Sequence, residues 1–138
     1  MTVQFLDILK QPELEIGDSK KVLFSSDSFH TWIHGDYPGT KGPMHKHTAD
    51  QFFFCMQGEC TFHFPDGSTQ AVGPGQMVLI PAGDFYQLDN TGDEYMLLLG
   101  ARAEPAGNPR YGEKDEPVGA NTYTLDNPDN IKAPAEKA

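Results

Sequence analysis

The most informative part of the chain is residues 42–58, which read GPMHKHTADQFFFCMQG. Side chains alternate between the two faces of an extended strand, so His45 and His47 are expected on one face, about 6 to 7 Å apart, with Lys46 facing outward. Two imidazoles with that spacing can bind one metal ion. If Gln51 begins the next strand facing inward, its amide oxygen approaches the same point.

A second informative stretch is residues 75–90, which read GQMVLIPAGDFYQLDN. The apolar run from Met77 to Ile80 enters a Pro-Ala-Gly turn, and a second extended run with Tyr86 follows it. The segment therefore predicts a strand, a turn and another strand.

Short apolar runs separated by turn residues fill the middle of the chain. Its 14 glycines and 11 prolines mark the turns, and in the hairpin at residues 64–68 proline fixes φ while glycine supplies a positive φ. Strands are expected at residues 21–25, 28–36, 51–57, 60–64, 76–80, 85–89 and 94–103. A spacing of about 8 to 12 residues predicts an all-β barrel or sandwich. In residues 28–36 the pattern alone does not show which face points inward.

The two stretches resemble the paired motifs of the cupin superfamily. In that family a first motif with His-x-His and a glutamate is followed by a second motif with Pro-x-Gly, a histidine and an asparagine. The positions that correspond at the family's spacing are Gly39, His45, His47, Gln51, Gly58, Gly75, Pro81, Gly83, Tyr86 and Asn90. Eight of the ten agree; Gln51 stands at the glutamate position and Tyr86 at the last histidine position.

The resemblance implies an all-β fold with a single cupin jelly-roll β-barrel over residues 21–104. Residues 1–20 then form a short N-terminal arm, and residues 105–138 form an extended polar C-terminal tail. That tail is expected to be disordered or to lie across the barrel or a partner subunit.

The resemblance also implies a metal site, since cupins usually bind a metal ion through three histidines and a glutamate. The corresponding ligands here are His45, His47, Gln51 and Tyr86. A neutral amide lowers the affinity for a hard divalent cation, and a tyrosine binds well when the ion deprotonates it. Phenolate favours ferric iron, so iron is the favoured cofactor, with nickel, manganese or zinc as alternatives. Tyr86 is expected to act as a ligand or as a catalytic proton donor.

Alternatives to this ligand set stay open. His45 and His47 could line a metal-free pocket for an organic ligand, hydrogen-bonded to Gln51 and Tyr86. His34 or His63 could supply the missing imidazole if its side chain points inward, and Asp50 could replace the carboxylate if its strand shifts by one residue.

The run of three phenylalanines at residues 52–54 is apolar on both faces of its expected strand. Phe53 and Cys55 share the face of Gln51, and Phe52 and Phe54 take the opposite face. Both faces are therefore expected to be covered, one inside the barrel and one outside. A second subunit is the expected outer cover, so we expect a homodimer.

Charge and length exclude several classes of partner. The 138-residue chain has 20 acidic and 10 basic side chains and a net charge of −10, the wrong sign for nucleic acid or an anionic membrane. Its apolar runs are far shorter than the roughly 20 residues that span a bilayer. The N-terminus lacks a secretory pattern, so we expect a cytoplasmic protein in which Cys55 and Cys60 are buried free thiols.

These observations favour an enzyme that acts on a small oxygenated substrate bound in the barrel. The resemblance implies a metal-dependent reaction of the dioxygenase, isomerase, lyase or decarboxylase type. The alternative is a metal-free cupin module that binds a small ligand without turnover.

Overall fold

The structure, a computed structural model, describes residues 3–8 and 19–120. Within these ranges no helix has the length and apolar character needed to cross a membrane. The strands are β1 (Ser19–Ser25), β2 (His30–Asp36), β3 (Gln51–Gln57), β4 (Cys60–His63), β5 (Thr69–Val72), β6 (Met77–Ile80), β7 (Gln87–Asn90), β8 (Met96–Arg102), β9 (Pro109–Tyr111) and β10 (Pro117–Ala120). The predicted all-β class is confirmed.

The strands form two antiparallel sheets and a hairpin. The larger sheet has the order β1-β2-β8-β3-β6 and the smaller sheet the order β5-β4-β7, while β9 pairs with β10. Strands that are distant in sequence lie side by side in both sheets, as in a double-sheeted jelly roll. The predicted cupin barrel is therefore confirmed.

An apolar core fills the space between the two sheets. Alternate residues of each strand point inward, and the rings of Trp32 and Phe53, like those of Phe53 and Phe62, are 5.6 Å apart between centroids. Strand β8 passes so close to Trp32 that a Cβ at Gly100 would lie 2.3 Å from the indole. Glycine at this position therefore lets the two strands pack.

Burial identifies the inward face of β2. His30 and Trp32 are fully buried, whereas Phe29 just before the strand is 47% exposed. On the outer face, Leu6 and Ile8 of the N-terminal arm pack against Ile33 and its neighbours in the sheet. The arm thus supplies part of the outer cover.

Strand β3 has the bounds that the sequence predicts, and Gln51, Phe53 and Cys55 are buried on its inward face. Cys55 and Cys60 are both free and buried, as expected. Burial raises the pKa of the Cys60 thiol to about 12, so this thiol is unreactive at neutral pH.

The first part of the expected tail has regular structure. The backbone of Tyr111 in β9 exchanges two hydrogen bonds with that of Lys46, at 2.9 and 3.0 Å. Residues 109–111 therefore lie against the segment that contains the two histidines. Residues 1–2 and 9–18 of the arm and residues 121–138 of the tail lie outside the described residues.

Candidate functional site

Backbone pairing brings the two sequence motifs together. The N–H of His45 donates to the carbonyl of Tyr86 at 3.0 Å, and the N–H of Tyr86 donates to the carbonyl of His45 at 2.9 Å. Their rings face each other with centroids 4.5 Å apart. Gln51 stands opposite Arg102 where β3 pairs with β8, which places a cationic side chain next to the predicted ligands.

The two histidines point their Nε2 atoms at each other, 3.1 Å apart. His45 Nδ1 lies 2.8 Å from the carbonyl of Pro43. A carbonyl can only accept, so Nδ1 bears the proton and Nε2 of His45 presents a lone pair. The hydroxyl oxygen of Tyr86 lies 3.1 Å from this same Nε2, within reach to donate a hydrogen bond to it.

Arg102 determines the state of the second histidine. Its Nη2 lies 3.1 Å from His47 Nε2, and a guanidinium can only donate, so Nε2 of His47 also presents a lone pair. The same side chain donates to Gln51 Oε1 from Nε at 3.0 Å and from Nη2 at 2.9 Å. Both facing nitrogens, 3.1 Å apart, are therefore unprotonated acceptors, His45 Nε2 next to the Tyr86 hydroxyl and His47 Nε2 next to Arg102.

Both imidazoles are neutral at physiological pH. Burial is the main cause that lowers the pKa of His45 to about 3, and the positive charges of Lys20, Arg110 and Arg102 lower it further. The pKa of His47 is lowered even more, by burial first and then by Arg102. An additional proton shared by the two Nε2 atoms is therefore unfavourable at physiological pH.

The family follows from comparison with known proteins. Residues 33–100, which include both motifs, match the family model of the cupin domain. The chain carries a cupin domain. Its fold matches that of a conserved protein with a double-stranded β-helix domain from Klebsiella pneumoniae, with a TM-score of 0.64 over 75% of this chain and 92% of that chain, at 15% identity.

The cupin domain is also similar to two named proteins. Auxin-binding protein T92 of Nicotiana tabacum is 26% identical over 87 residues, and dimethylsulfoniopropionate lyase DddQ of Ruegeria pomeroyi is 28% identical over 76 residues. These matches span 56% and 55% of this chain but only 46% and 38% of the two relatives. The crystal structure of the lyase has a TM-score of 0.63 over 83% of this chain and 62% of the lyase, at 20% identity.

Cupin domains often hold a metal ion, and two of the four predicted ligands fit one. Nitrogens that share an ion at about 2.1 Å each lie about 3 Å apart, which is the separation of His45 and His47 Nε2. Both His47 Nε2 and Gln51 Oε1 accept hydrogen bonds from Arg102. An ion would have to displace one such hydrogen bond to bind His47 and two to bind Gln51, so Gln51 fits this arrangement less well. In residues 3–8 and 19–120 no three His, Cys, Asp or Glu side chains cluster as a metal site. Tyr86 supplies an oxygen beside the pair, 3.1 Å from His45 Nε2.

The three further candidates lie apart from the histidine pair. His34 faces the barrel interior but pairs with Asp36, 2.7 Å away. His63 pairs with Asp89 at 3.0 Å, with a side chain that is 35% exposed. Asp50 is exposed and accepts a hydrogen bond from the backbone N–H of residue 82 at 2.8 Å. Lys46 points outward, as expected, to Asp115 and over Phe85.

Sequence reasoning missed the charged neighbours of the histidines. Arg102 ends β8, and Glu104 is buried just beyond it, with its Oε1 3.9 Å from Arg102 Nε. Arg102 also lies over the Trp32 ring at 4.7 Å. A usable signal was present, because Arg102 and Arg110 are the only two arginines in the chain.

Proposed function

We propose that this protein is a metal-dependent enzyme that acts on a small oxygenated substrate in the barrel. His45 and His47 hold the ion, and the Tyr86 oxygen is the third donor. Iron is favoured because a phenolate suits ferric iron, with nickel, manganese and zinc as alternatives. Gln51 in this proposal holds Arg102 in place and does not bind the ion.

One observation carries the proposal: two unprotonated nitrogens, Nε2 of His45 and Nε2 of His47, lie 3.1 Å apart, which is the separation of two nitrogens that bind one ion at about 2.1 Å each. Their partial negative charges repel each other, and an ion bound by both nitrogens, to one side of the line that joins them, would offset that repulsion. Burial opposes a proton there, because it lowers the pKa of His45 to about 3. A metal ion is the cation that the pair suits.

The chain's own residues suit proton transfer beside such a site. A bound ion would supply Lewis acidity and an open position for substrate oxygens. The Tyr86 hydroxyl holds a proton 3.1 Å from His45 Nε2, and the rings of Phe53 and Phe62 lie 6.2 and 6.0 Å from the Tyr86 ring. Tyr86 is only 2% exposed, so its side chain is shielded from bulk water.

Tyr86 cannot bind the ion as phenolate and hold a proton at the same time. As a proton donor it would support an isomerase, lyase or decarboxylase reaction, whereas as a phenolate ligand of iron it would suit a dioxygenase reaction. The Ruegeria relative is named as a lyase of dimethylsulfoniopropionate. That compound is therefore the first substrate to assay.

A second candidate function is a metal-free module that binds a small ligand without turnover. The Arg102 guanidinium favours it, because this cation already contacts two of the four predicted metal ligands, His47 and Gln51. The tobacco relative is named as an auxin-binding protein, which is a binding function.

Elemental analysis by mass spectrometry separates the two functions. Protein purified without chelator is compared with His45→Ala/His47→Ala and with His63→Ala, whose ring lies apart from the site. We expect nearly stoichiometric metal in the parent protein and in His63→Ala, and loss of that metal in the double variant. Lack of metal in the parent protein, even after reconstitution with iron, nickel, manganese and zinc, would overturn the enzyme proposal in favour of the binding module.

A further inference from the structure

Both arginines of this acidic chain lie on the histidine side of the barrel mouth. Arg102 contacts His47 directly, at 3.1 Å. Arg110 precedes Tyr111, which pairs with Lys46, and the Lys46 side chain points outward to Asp115. Since neighbouring side chains of a strand alternate, Arg110 projects to the opposite side, where the histidines are.

A third cation faces the same interior. Lys20 of β1 stands opposite His34 of β2, and directly opposed residues share a face of the sheet. The His34 ring lies inside the barrel, 6.4 Å from the ring of Phe53. Lys20 therefore points inward, whereas Lys21, opposite Ile33, points to the outer face.

The three cations affect one another and the histidines. Burial lowers the pKa of Lys20 to about 8, and the charges of Arg110 and Arg102 add to this effect. The described carboxylates near them are Asp36, which pairs with His34, and Glu104, 3.9 Å from Arg102.

Arg110 also has a buried donor that no described residue satisfies. Its Nε atom is buried, and no hydrogen-bond acceptor lies within reach among residues 3–8 and 19–120. A buried guanidinium N–H without an acceptor is costly. An acceptor supplied by a ligand would satisfy it.

We propose that Arg110, Lys20 and Arg102 form a subsite that binds the carboxylate group of the small-molecule substrate, beside the histidine pair. Guanidinium groups bind carboxylates through paired, charge-assisted hydrogen bonds. That the bound carboxylate belongs to a substrate rests on the proposed function, but binding at the subsite does not require the metal.

The test uses propionate as the probe and its neutral counterpart propionamide, at constant ionic strength. Ligand-observed NMR titrations follow both compounds with the full chain after chelator treatment and again after metal loading. We expect propionate to bind at least tenfold more tightly than propionamide. Arg110→Met and Lys20→Met should each weaken propionate binding at least tenfold.

Lys21→Met is the matched control, because it removes the same charge from the neighbouring residue on the opposite face. It should bind propionate like the parent protein, and thermal unfolding verifies that each variant is folded. Equal binding of propionate and propionamide, no saturation at tens of millimolar, or equal losses in Lys20→Met and Lys21→Met would overturn the subsite.

The same titrations keep the two proposals distinct. Propionate binding to protein without metal supports the subsite. Failure of the metal proposal would then not affect the subsite. Propionate binding that needs the metal and ignores Arg110→Met and Lys20→Met would place the carboxylate on the ion. That result would overturn the subsite and support the metal proposal.

Discussion

Arg102 puts a permanent positive charge next to the proposed metal position. Its Nη2 and an ion compete for one lone pair on His47, and the two positive charges repel. Arg102→Met should therefore lower the metal dissociation constant by about tenfold or more, which corresponds to about 1.4 kcal/mol. Competition with a chromophoric chelator measures the constant.

Arg102→Lys is the matched control because it keeps the charge, and it should resemble the parent protein. If Arg102→Met binds metal no more tightly than Arg102→Lys does, Arg102 does not oppose the ion.

His30 should make the stability of the fold dependent on pH. Burial lowers its pKa from 6.5 to about 4, although its Nδ1–H donates to the Glu104 carbonyl. Below pH 6.5 the unfolded chain takes up a proton that the folded chain does not, so the free energy of unfolding decreases as the pH is lowered. The slope is about 1.4 kcal/mol per pH unit down to about pH 4, roughly 3 kcal/mol in all.

Urea unfolding of the parent protein and of His30→Gln between pH 7 and pH 4.5 measures this contribution. The variant should show the smaller loss of stability with acid, and His63→Gln should keep the full loss. Parallel pH profiles for the parent and His30→Gln would show that His30 does not carry the effect.

The resemblance to the cupin motifs implied His45, His47, Gln51 and Tyr86 as site residues, and the structure brings His45 next to Tyr86 and links His47 to Gln51 through Arg102. The sequence alone could not show that Gln51 lies next to a cation, Arg102. That pairing depends on the register of β3 against β8, strands about fifty residues apart, in which Gln51 stands opposite Arg102. No local pattern fixes such a register.

Strands β8 and β2 pack without space for a side chain at Gly100. A Cβ there would lie 2.3 Å from Trp32, whose ring also contacts His30 and Arg102. Gly100→Ala should destabilise the fold by about 3 kcal/mol, since it forces the buried indole to move. Chemical denaturation measures the change.

Gly73→Ala is the comparison variant, because a Cβ at Gly73 would meet only Gln76 Oε1, at 3.8 Å. Its effect should stay within about 1 kcal/mol. Equal stability of the two variants would contradict the close packing of β8 on Trp32.

The long apolar strands were predictable because their composition is strong, and β3 was predicted to the residue. Three strands were not predicted: β5, β9 and β10. Strand β5 is short and mostly exposed, so it lacks an apolar signature. Residues 109–111 form a strand because they pair with the backbone of Lys46, a long-range contact that composition does not reveal.

The outer face of the larger sheet has an exposed apolar area. Met77 and Leu79 of β6 are 60% and 67% exposed, and Leu79 lines a groove of about 430 Å³ together with Phe29 and Phe52. Strand β6 is at the edge of its sheet, where apolar residues favour association. We expect a second copy to cover this face and form a homodimer.

Sedimentation velocity at micromolar concentration tests the dimer. The parent protein should sediment as a dimer and Met77→Glu/Leu79→Glu as a 15.2 kDa monomer, while Lys114→Glu, away from β6, should remain dimeric. A clean monomer of the parent protein would contradict the homodimer.

The most direct measurement is an anomalous difference map from crystals grown with excess manganese or zinc. We expect a strong peak bonded to Nε2 of both His45 and His47, with Arg102 turned away from His47 and still held by Gln51. A map with no peak between the imidazoles, and Arg102 still bonded to His47, would contradict the metal site.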